Sequence, residues 1–272
     1  MLSLALKDRT IHTELPAFVM GILNVTPDSF FKESRGGIER AFKLIEDGAD
    51  ILDLGAESSR PGSLYVSEEE EMNRLLPVIR EIRKTSDIPI SIDTRKKNVM
   101  KAALEEGADI LNDISALEDD EEMADFCAEQ KIPVILMHKK GVPSSMQNDV
   151  VSTGAFSVVN DYLCKRAEYA ISKGISSDKI IVDPGIGFGK DLTANVELIN
   201  NVGKLCDKKY MILMALSRKT CIGEMTGEPV ENRLSGTLCA DILSVIKGAS
   251  MVRVHDVKET VDTLKVLSYI SI

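Results

Sequence analysis

Residues 180–190, Ile-Ile-Val-Asp-Pro-Gly-Ile-Gly-Phe-Gly-Lys, place a lone carboxylate directly after a short apolar run. The β-branched residues before Asp183 are typical of a buried strand. Three glycines follow at alternate positions, and glycine lets the backbone approach a ligand closely. Parallel α/β folds bind ligands at the carboxyl ends of their strands, so this stretch is a candidate site. Asp-Pro-Gly is also ordinary turn chemistry.

Two glycine-rich nucleotide motifs do not fit this stretch. The phosphate-binding P-loop requires glycine where Pro184 stands, and Ser or Thr where Asp191 stands. The glycine spacing of dinucleotide-binding folds is also missing. Neither of these two nucleotide-binding motifs is therefore predicted here.

The same order, an apolar run and then a polar group, occurs eight times along the chain. The runs are Phe18–Leu23, Ile51–Leu54, Ile88–Ile92, Asp109–Leu111, Pro133–Met137, Ile180–Val182, Met211–Leu216 and Met251–Val254. The polar residues at or after their ends are Asn24, Asp53, Glu57, Ser59, Arg60, Asp93, Arg95, Asn112, Asp113, His138, Asp183, Ser217, Arg218, Lys219, Arg253, His255 and Asp256. In a parallel barrel these residues would all point into one mouth, which predicts an active site there.

Segments with helical periodicity separate the runs. Examples are Ile38–Glu46, Glu68–Arg83, Lys97–Glu105, Phe156–Ser172, Val196–Val202, Arg233–Ile246 and Val257–Leu267. Strands that are apolar throughout indicate a parallel sheet covered by helices. Eight of them favour a (β/α)₈ TIM barrel over an open, doubly wound α/β sheet. We expect a single domain over residues 1–272, with residues 1–16 as an N-terminal arm or hairpin.

Composition narrows the class of partner. The 272 residues carry a net charge of −10, with 44% hydrophobic and 28% charged residues. Such an acidic chain is poorly suited to nucleic acid or to an anionic membrane surface, and no apolar run is long enough to span a bilayer. The five scattered cysteines form no metal-binding spacing and suggest reduced thiols. A cytoplasmic location is the expectation.

The predicted mouth combines two kinds of group. Asp93, Asn112 and Asp183 offer oxygen acceptors that suit a heterocycle with an amino-substituted, amidine-like edge. Arg60, Lys219, Arg253 and His255 are cationic or can become so, and converging cations imply an anion such as phosphate or diphosphate. We expect one or two of the arginines to pair instead with Asp53 or Glu57.

These residues stand in motifs that resemble the dihydropteroate synthase family of folate biosynthesis. The resemblance covers residues 17–267. Its motifs are Gly21–Phe30 (GILNVTPDSF), Asp53–Gly62 (DLGAESSRPG), Ser91–Thr94 (SIDT), Asn112–Ser115 (NDIS), Met137–His138 followed by Gly141, Pro143, Met146 and Gln147, Asp183–Lys190 (DPGIGFGK), Ser217–Lys219 (SRK) and Arg253–Asp256 (RVHD). It implies a (β/α)₈ enzyme, commonly a homodimer and a sulfonamide target. The family joins 4-aminobenzoate to 6-hydroxymethyl-7,8-dihydropterin diphosphate, and releases diphosphate and 7,8-dihydropteroate.

The resemblance also implies roles at matching positions. The pterin would contact Asp93, Asn112, Met137, Asp183, Phe188 and Lys219. The diphosphate would contact Ser59, Arg253 and His255, with Asn24 as a ligand of its Mg²⁺. The aminobenzoate pocket would include Phe30, Arg60, Pro61 and Ser217. Asp93, Asp183, Lys219 and Arg253 would carry catalysis.

The chain departs from the family pattern in the first loop. Five residues, Phe31–Arg35, stand before Gly36-Gly37, where the family reaches its Asp-Gly-Gly sooner. Ser59 replaces the usual Thr but keeps the hydroxyl, and Lys139 and Lys140 follow His138 where an apolar residue is more usual.

Two alternatives remain open on the sequence, and a third is not supported by it. A methyltetrahydrofolate-type methyltransferase would share the ring contacts but would not need Arg60, Lys219 and Arg253 as an anion site. A catalytically degenerate pterin-binding barrel would keep the fold without turnover. A Schiff-base aldolase would need a lysine inside a strand, whereas Lys219 follows its strand.

Overall fold

Eight parallel strands close into a barrel in a computed structural model that describes residues 1–25, 36–57, 65–141 and 150–270. An antiparallel hairpin, β1 (Leu2–Ala5) and β2 (Thr10–Thr13), precedes it. The barrel strands are β3 (Phe18–Asn24), β4 (Ile51–Gly55), β5 (Ile90–Asp93), β6 (Ile110–Asp113), β7 (Val134–Met137), β8 (Ile180–Asp183), β9 (Met211–Met214) and β10 (Met251–Val254). Neighbours in the chain are neighbours in the barrel, and β10 pairs with both β3 and β9. The predicted (β/α)₈ fold is confirmed.

Helices lie between the strands and cover the outside of the barrel. In the described ranges they are α1 (Gly36–Glu46), α2 (Glu68–Arg83), α3 (Lys97–Glu105), α4 (Met123–Gln130), α5 (Ala155–Ser172), α6 (Leu192–Asn201), α7 (Thr220–Thr226), α8 (Leu234–Ile246) and α9 (Val257–Tyr269). None of these helices has the length and apolar character needed to cross a membrane.

Two of these helices are not among the example segments given above, and one begins earlier than predicted. The helices α4 and α7 are only 8 and 7 residues long, too short for a clear 3.6-residue period. The helix α6 begins four residues before the predicted Val196, because Asp191 accepts a hydrogen bond from the backbone N–H of Ala194 at 2.8 Å and caps it.

The barrel strands are apolar on both faces. Their outward residues pack against the helices in a large core that includes Leu52, Val134 and Val252. Their inward residues form a second core with Leu4 and Leu6 of the hairpin segment. The inward set is Phe18, Met20, Ile51, Ile110, Ile135, Ile181, Leu213, Ala215 and Met251. The N-terminal hairpin thus fills the amino end of the barrel, and the carboxyl end remains available for a functional site.

Asp241 is a buried carboxyl without a partner among the described residues. It lies on α8, only 1% of its surface is exposed, and neither oxygen accepts a hydrogen bond. Burial raises its pKa well above the ordinary value. A raised folded-state pKa favours the neutral form in the folded protein, so ionisation opposes folding as pH rises above the unfolded value of about 3.9.

We therefore expect Asp241→Asn to stabilise the protein at pH 8 by about 1–3 kcal/mol, because Asp241 is ionised in the unfolded chain and must take up a proton or bury its charge on folding, whereas the similarly shaped Asn stays neutral. The gain should vanish towards pH 4, where the carboxyl is protonated in both states. Urea unfolding of both proteins at the two pH values measures it. The exposed Asp161→Asn on α5 is the control, and equal gains at both pH values would contradict this account.

Candidate active site

A polar layer lies directly above the apolar inward layer of the barrel. Side chains two residues apart on a strand point to the same face. The inward Ile51, Ile110, Ile181 and Met251 are therefore followed by Asp53, Asn112, Asp183 and Arg253. On β5 the corresponding residue is Asp93, which lies level with Asn112 and with Gly55. We call Asp53, Asp93, Asn112, Asp183 and Arg253 the polar layer.

Arg253 links the carboxylates of this layer. Its Nε donates to Asp53 Oδ2 at 2.6 Å, and one terminal nitrogen donates to Asp93 Oδ2 at 3.1 Å. Asn112 Nδ2 lies 3.2 Å from each oxygen of Asp53. The Asp53 side chain is fully buried, whereas Arg253 is 20% exposed. The prediction that an arginine pairs with Asp53 is confirmed, and the arginine is Arg253.

The surroundings of the polar layer shift the pKa values of Asp93 and Arg253. The pKa of Asp93 is raised to about 7, chiefly by burial; Arg253 opposes this rise, and the charge of Asp53 adds to it. Burial alone would lower the pKa of Arg253, but Asp53 and Asp93 raise it. Asp93 therefore exchanges its proton near neutral pH while Arg253 stays charged.

Asp183 and Lys219 form a second group across the mouth. Asp183 Oδ1 accepts a hydrogen bond from the N–H of Gly185 at 2.7 Å. Lys219 Nζ donates to the carbonyl of Ile186 at 2.5 Å and lies 4.8 Å from the centre of the Phe188 ring. Burial lowers the pKa of Lys219 to about 8, with Asp183 opposing the shift. Burial raises the pKa of Asp183, and Lys219 opposes that shift.

Two of the three glycines after Asp183 are needed for close packing against the segment after β7. Gly185 has φ +65°, and a Cβ there would lie 1.9 Å from the carbonyl oxygen of His138. Gly189 has φ +64°, and its Cβ would lie 2.6 Å from the carbonyl oxygen of Lys140. Two of the three glycines that first marked this stretch are thus in contact with a neighbouring backbone, whereas a Cβ at Gly187 would lie 3.7 Å from the Lys219 side chain.

Lys190 ties the two segments together, a role that sequence reasoning missed. Its buried Nζ donates to the carbonyls of Gly185 at 2.8 Å, Phe188 at 3.1 Å and His138 at 3.2 Å. Burial lowers its pKa to about 7, and Asp183 opposes the shift. No pattern in the sequence distinguishes this lysine from a solvated one.

Ser217 and His255 lie together at the rim. Ser217 Oγ is 3.0 Å from His255 Nδ1 and accepts the backbone N–H of His255 at 3.1 Å. The next residue, Arg218, has φ +56° and makes two 2.8 Å hydrogen bonds to the carboxylate of Asp256. The positive charge of Arg218 is thereby paired with the carboxylate of Asp256.

The expectation that every strand-end polar group points into the mouth is wrong for several residues. His138 has the outward parity of Leu136, packs edge-on against Tyr162 of α5 at 5.0 Å, and has its pKa lowered by burial to about 3. Asp113 instead accepts the N–H groups of Ser115 and Leu117, both at 2.7 Å. A polar residue that follows a strand can point either into the barrel or outward, because adjacent residues alternate between the two faces of the strand.

A second buried lysine that sequence reasoning missed contacts described residues before and after positions 58–64. Lys96 Nζ donates to Glu57 at 2.5 Å, to Glu71 at 2.6 Å and to the carbonyl of Val66 at 2.7 Å, and lies 4.4 Å from the centre of the Tyr65 ring. The run Arg95-Lys96-Lys97 marks a local concentration of cations, but only the fold shows which of them is buried.

The remaining predicted residues divide into two sets. Asn24 ends β3 with the inward parity of Met20 and is exposed, and Met137 ends β7 with the inward parity of Ile135 and is buried. Phe30, Ser59, Arg60 and Pro61 lie outside the described residues. Within the described ranges, no group of three or more His, Cys, Asp or Glu residues is arranged to hold a metal ion.

Comparison with known proteins identifies the family. The model of the pterin binding enzyme family matches residues 20–255. Dihydropteroate synthase of Clostridium beijerinckii is 40% identical over 89% of this chain and 90% of its own. The chain belongs to the dihydropteroate synthase family of pterin-binding enzymes. It is accordingly a transferase of folate biosynthesis, and the methyltransferase alternative is not favoured.

Two solved structures of Xanthomonas albilineans dihydropteroate synthase resemble this fold over nearly its full length. The structure with 4-aminobenzoic acid has a TM-score of 0.90 at 38% identity and covers 98% of this chain and 97% of its own. The complex with 7,8-dihydropteroate has a TM-score of 0.87 at 35% identity, covering 98% of each chain.

The two shifted groups of the mouth predict a bell-shaped pH dependence for pterin binding. Below about pH 7 Asp93 becomes neutral and loses acceptor strength, and above about pH 8 Lys219 loses its charge. The affinity for 6-hydroxymethylpterin should therefore be highest between these values, as measured by calorimetry from about pH 5 to about pH 10. Asp93→Asn should flatten the acid limb and Lys219→Arg the alkaline limb. Limbs that persist unchanged in both variants would refute the assignment.

Proposed function

We propose that this protein joins the amine of 4-aminobenzoate to the methylene carbon of 6-hydroxymethyl-7,8-dihydropterin diphosphate, with release of diphosphate and formation of 7,8-dihydropteroate. The observation that carries the proposal is the convergence at one mouth of three oxygen acceptors, Asp93, Asn112 and Asp183, with the cations Arg253 and Lys219. The relatives with bound 4-aminobenzoic acid and 7,8-dihydropteroate support it.

The pterin ring would occupy the polar layer. Its amino-substituted edge presents several N–H donors, and each buried donor needs an acceptor. Asp93, Asn112 and Asp183 supply these, while Lys219 donates to a ring acceptor. Met137 and Phe188 would contact the ring faces, and the Lys219 ammonium already lies against the Phe188 ring.

The diphosphate would lie above this layer at the rim. Arg253 is partly exposed and His255 ends the same strand region, so both can reach an anion there. Ser59 would add a hydroxyl. Because Asp53 and Asp93 hold the Arg253 guanidinium in place, the charge that meets the leaving group is oriented before substrate binds.

The 4-aminobenzoate would lie beside the leaving group. Ser217 is the member of this predicted pocket that the structure describes, and its contacts with His255 connect the pocket to the diphosphate rim. Phe30, Arg60 and Pro61 complete the pocket in this proposal. Lys96 supports it indirectly, since it holds Glu57 and Val66 on either side of residues 58–64.

A Mg²⁺ ion fits the donor set if it arrives on the diphosphate. Mg²⁺ keeps several waters and takes few protein ligands when it binds through substrate phosphates, and Asn24 offers one exposed amide oxygen at the mouth. Asn24 would hold the ion, which supplies charge stabilisation on the phosphate oxygens. The described residues provide no carboxylate cage that would bind it without substrate.

The residues of the chain support a dissociative displacement. The methylene C–O bond breaks first, and its electron pair leaves with the diphosphate towards Arg253 and His255. Positive charge on the methylene carbon delocalises into the pterin, which Asp183 and its neighbours hold and stabilise. The arylamine nitrogen then forms the C–N bond and gives up a proton to the released diphosphate or to water. This course needs no covalent enzyme intermediate and no cysteine.

We expect diphosphate release that depends on 4-aminobenzoate in a coupled assay with the pterin diphosphate and Mg²⁺, with 7,8-dihydropteroate as the product. Asp183→Asn and Lys219→Ala should each reduce kcat/KM by about a thousandfold or more, because preorganised charge at the reacting centre is lost. Matched controls are Asp178→Asn, at the opposite end of β8, and Lys208→Ala, before β9.

Near-wild-type rates for Asp183→Asn or Lys219→Ala would refute the site assignment. Retained pterin binding without any diphosphate release by the wild-type protein would instead favour a catalytically degenerate barrel. Circular dichroism of each variant separates loss of activity from loss of fold.

We also propose that the protein is a homodimer that pairs through α8. The only charged side chain of this helix is the buried Asp241, and Leu243 and Ile246 are each 44% exposed on its outer face together with Cys239. An uncharged, partly apolar outer face is typical of a surface covered by a second copy.

The double variant Leu243→Glu/Ile246→Glu should therefore be monomeric while the wild type is dimeric, because four like charges would face each other across a two-fold interface. Sedimentation velocity at several concentrations measures this. Val158→Glu, at an isolated exposed valine on α5, should leave the dimer intact. A wild type that sediments as a monomer would contradict the proposal.

The cytoplasmic location stays a prediction from the sequence.

A further inference from the structure

Two cysteines far apart in the sequence meet on the outside of the barrel. Cys164 lies in the middle of α5, and Cys206 lies in the segment Val202–Lys208 between α6 and β9. Their Sγ atoms are 3.0 Å apart. All five cysteines of the chain are free thiols, and the proposed reaction uses none of them.

A hydrogen bond beside the contact fixes the main chain of Cys206 to α5. Asn160 Oδ1 accepts the N–H of Cys206 at 2.8 Å, and Asn160 lies one helical turn before Cys164 on the same face of α5. The same helix face therefore anchors the main chain of Cys206 and carries the sulfur that meets it.

The segment that carries Cys206 has an unusual conformation. Cys206, Asp207 and Lys208 have φ values of +44°, +53° and +59°, and left-handed conformations are unfavourable for non-glycine residues. Leu205 and Cys206 are nevertheless buried. Docking onto α5 holds this segment in place, so the two sulfurs meet in a defined geometry.

We propose that Cys164 and Cys206 are an oxidisable pair, which a low-molecular-weight disulfide converts into an intramolecular disulfide bond. A bonded S–S distance is about 2.05 Å, so the sulfurs must approach by roughly 1 Å. Side-chain rotation supplies a movement of this size without separating the segment from α5.

The chemistry is balanced thiol–disulfide exchange in two steps. The half-buried Cys164 thiolate first attacks the small disulfide, which forms a mixed disulfide on Cys164 and releases one small thiol. Cys206 then attacks the Cys164 sulfur, forms the Cys164–Cys206 bond and displaces the second small thiol. Two protein thiols are oxidised, and one small disulfide is reduced to two thiols that carry the two protons.

Burial fixes the order of the two steps and their pH dependence. Cys206 is only 2% exposed, so the small disulfide reaches Cys164 first. Burial, and the neighbouring Cys164, raise the pKa of the Cys206 thiol, so ring closure accelerates as pH rises. The buried Cys127 and Cys221 are shielded, and Cys239 is exposed on α8.

The new bond would lie away from the mouth. It connects α5 to the segment that leads into the amino end of β9, whereas the polar layer lies at the carboxyl ends of the strands. Oxidation should raise the thermal unfolding temperature, because the disulfide closes a long loop in the unfolded chain. It should leave the aminobenzoate-dependent activity unchanged.

The test uses the full chain with Cys239→Ser, which removes the exposed thiol, treated with oxidised glutathione near pH 8. We expect intact-mass spectrometry to show loss of two hydrogen atoms, and peptide mapping without reduction to link Cys164 to Cys206. With Cys206→Ser added, glutathione should remain on Cys164 as a stable mixed disulfide. With Cys164→Ser added, the protein should stay unmodified.

Three results would contradict the proposed disulfide between Cys164 and Cys206. They are a lasting mixed disulfide on Cys164 while Cys206 is present, an unchanged mass, and a linkage that involves Cys127 or Cys221. Each result is read by mass alone, and so is independent of whether the enzyme makes dihydropteroate. Activity and unfolding temperature of the oxidised protein then measure the consequence of the bond.

Discussion

The ion pairs of Arg253 with Asp53 and Asp93 are the interaction on which the site depends. Taking three charged groups out of water is costly unless they pair closely and their remaining atoms are hydrogen bonded. Arg253 meets both carboxylates within 3.1 Å, and Asn112 adds a further contact to Asp53. Removal of Arg253 would leave two like charges buried side by side, which is why the four residues act as one unit.

The same cluster prepares the mouth for its ligand. Asp53 is fully buried while Arg253 stays partly exposed. The guanidinium is therefore held in a fixed position with its positive charge accessible from the mouth of the barrel. Burial keeps Asp93 near its titration midpoint at neutral pH. The site thus combines a permanent cation with a carboxyl whose charge responds to what binds, and neither needs to reorganise when an anionic leaving group develops charge.

Two buried lysines make further contacts around this centre. Lys190 binds three backbone carbonyls between the segments after β7 and β8, and Lys96 binds the residues on both sides of 58–64. Each makes several hydrogen bonds at once, which compensates for the loss of hydration. These contacts fix the described residues Glu57, Val66 and His138 relative to the barrel.

The sequence by itself determined the barrel and most of its polar layer. Uniformly apolar runs, each followed by a helix, suffice for a parallel (β/α)₈ fold, and the inward parity of Asp53, Asp93, Asn112, Asp183 and Arg253 follows from their spacing along the strands. Nearly all the motifs that resemble the family lie at those strand ends.

Only the tertiary structure decided which groups meet. It turned His138 outward against Tyr162, paired Arg218 with Asp256 and buried Lys96 and Lys190. It also brought Cys164 to Cys206 and left Asp241 without a partner. Local patterns specify a residue's own strand or helix, whereas its partners come from distant segments, whose approach depends on how the whole barrel packs.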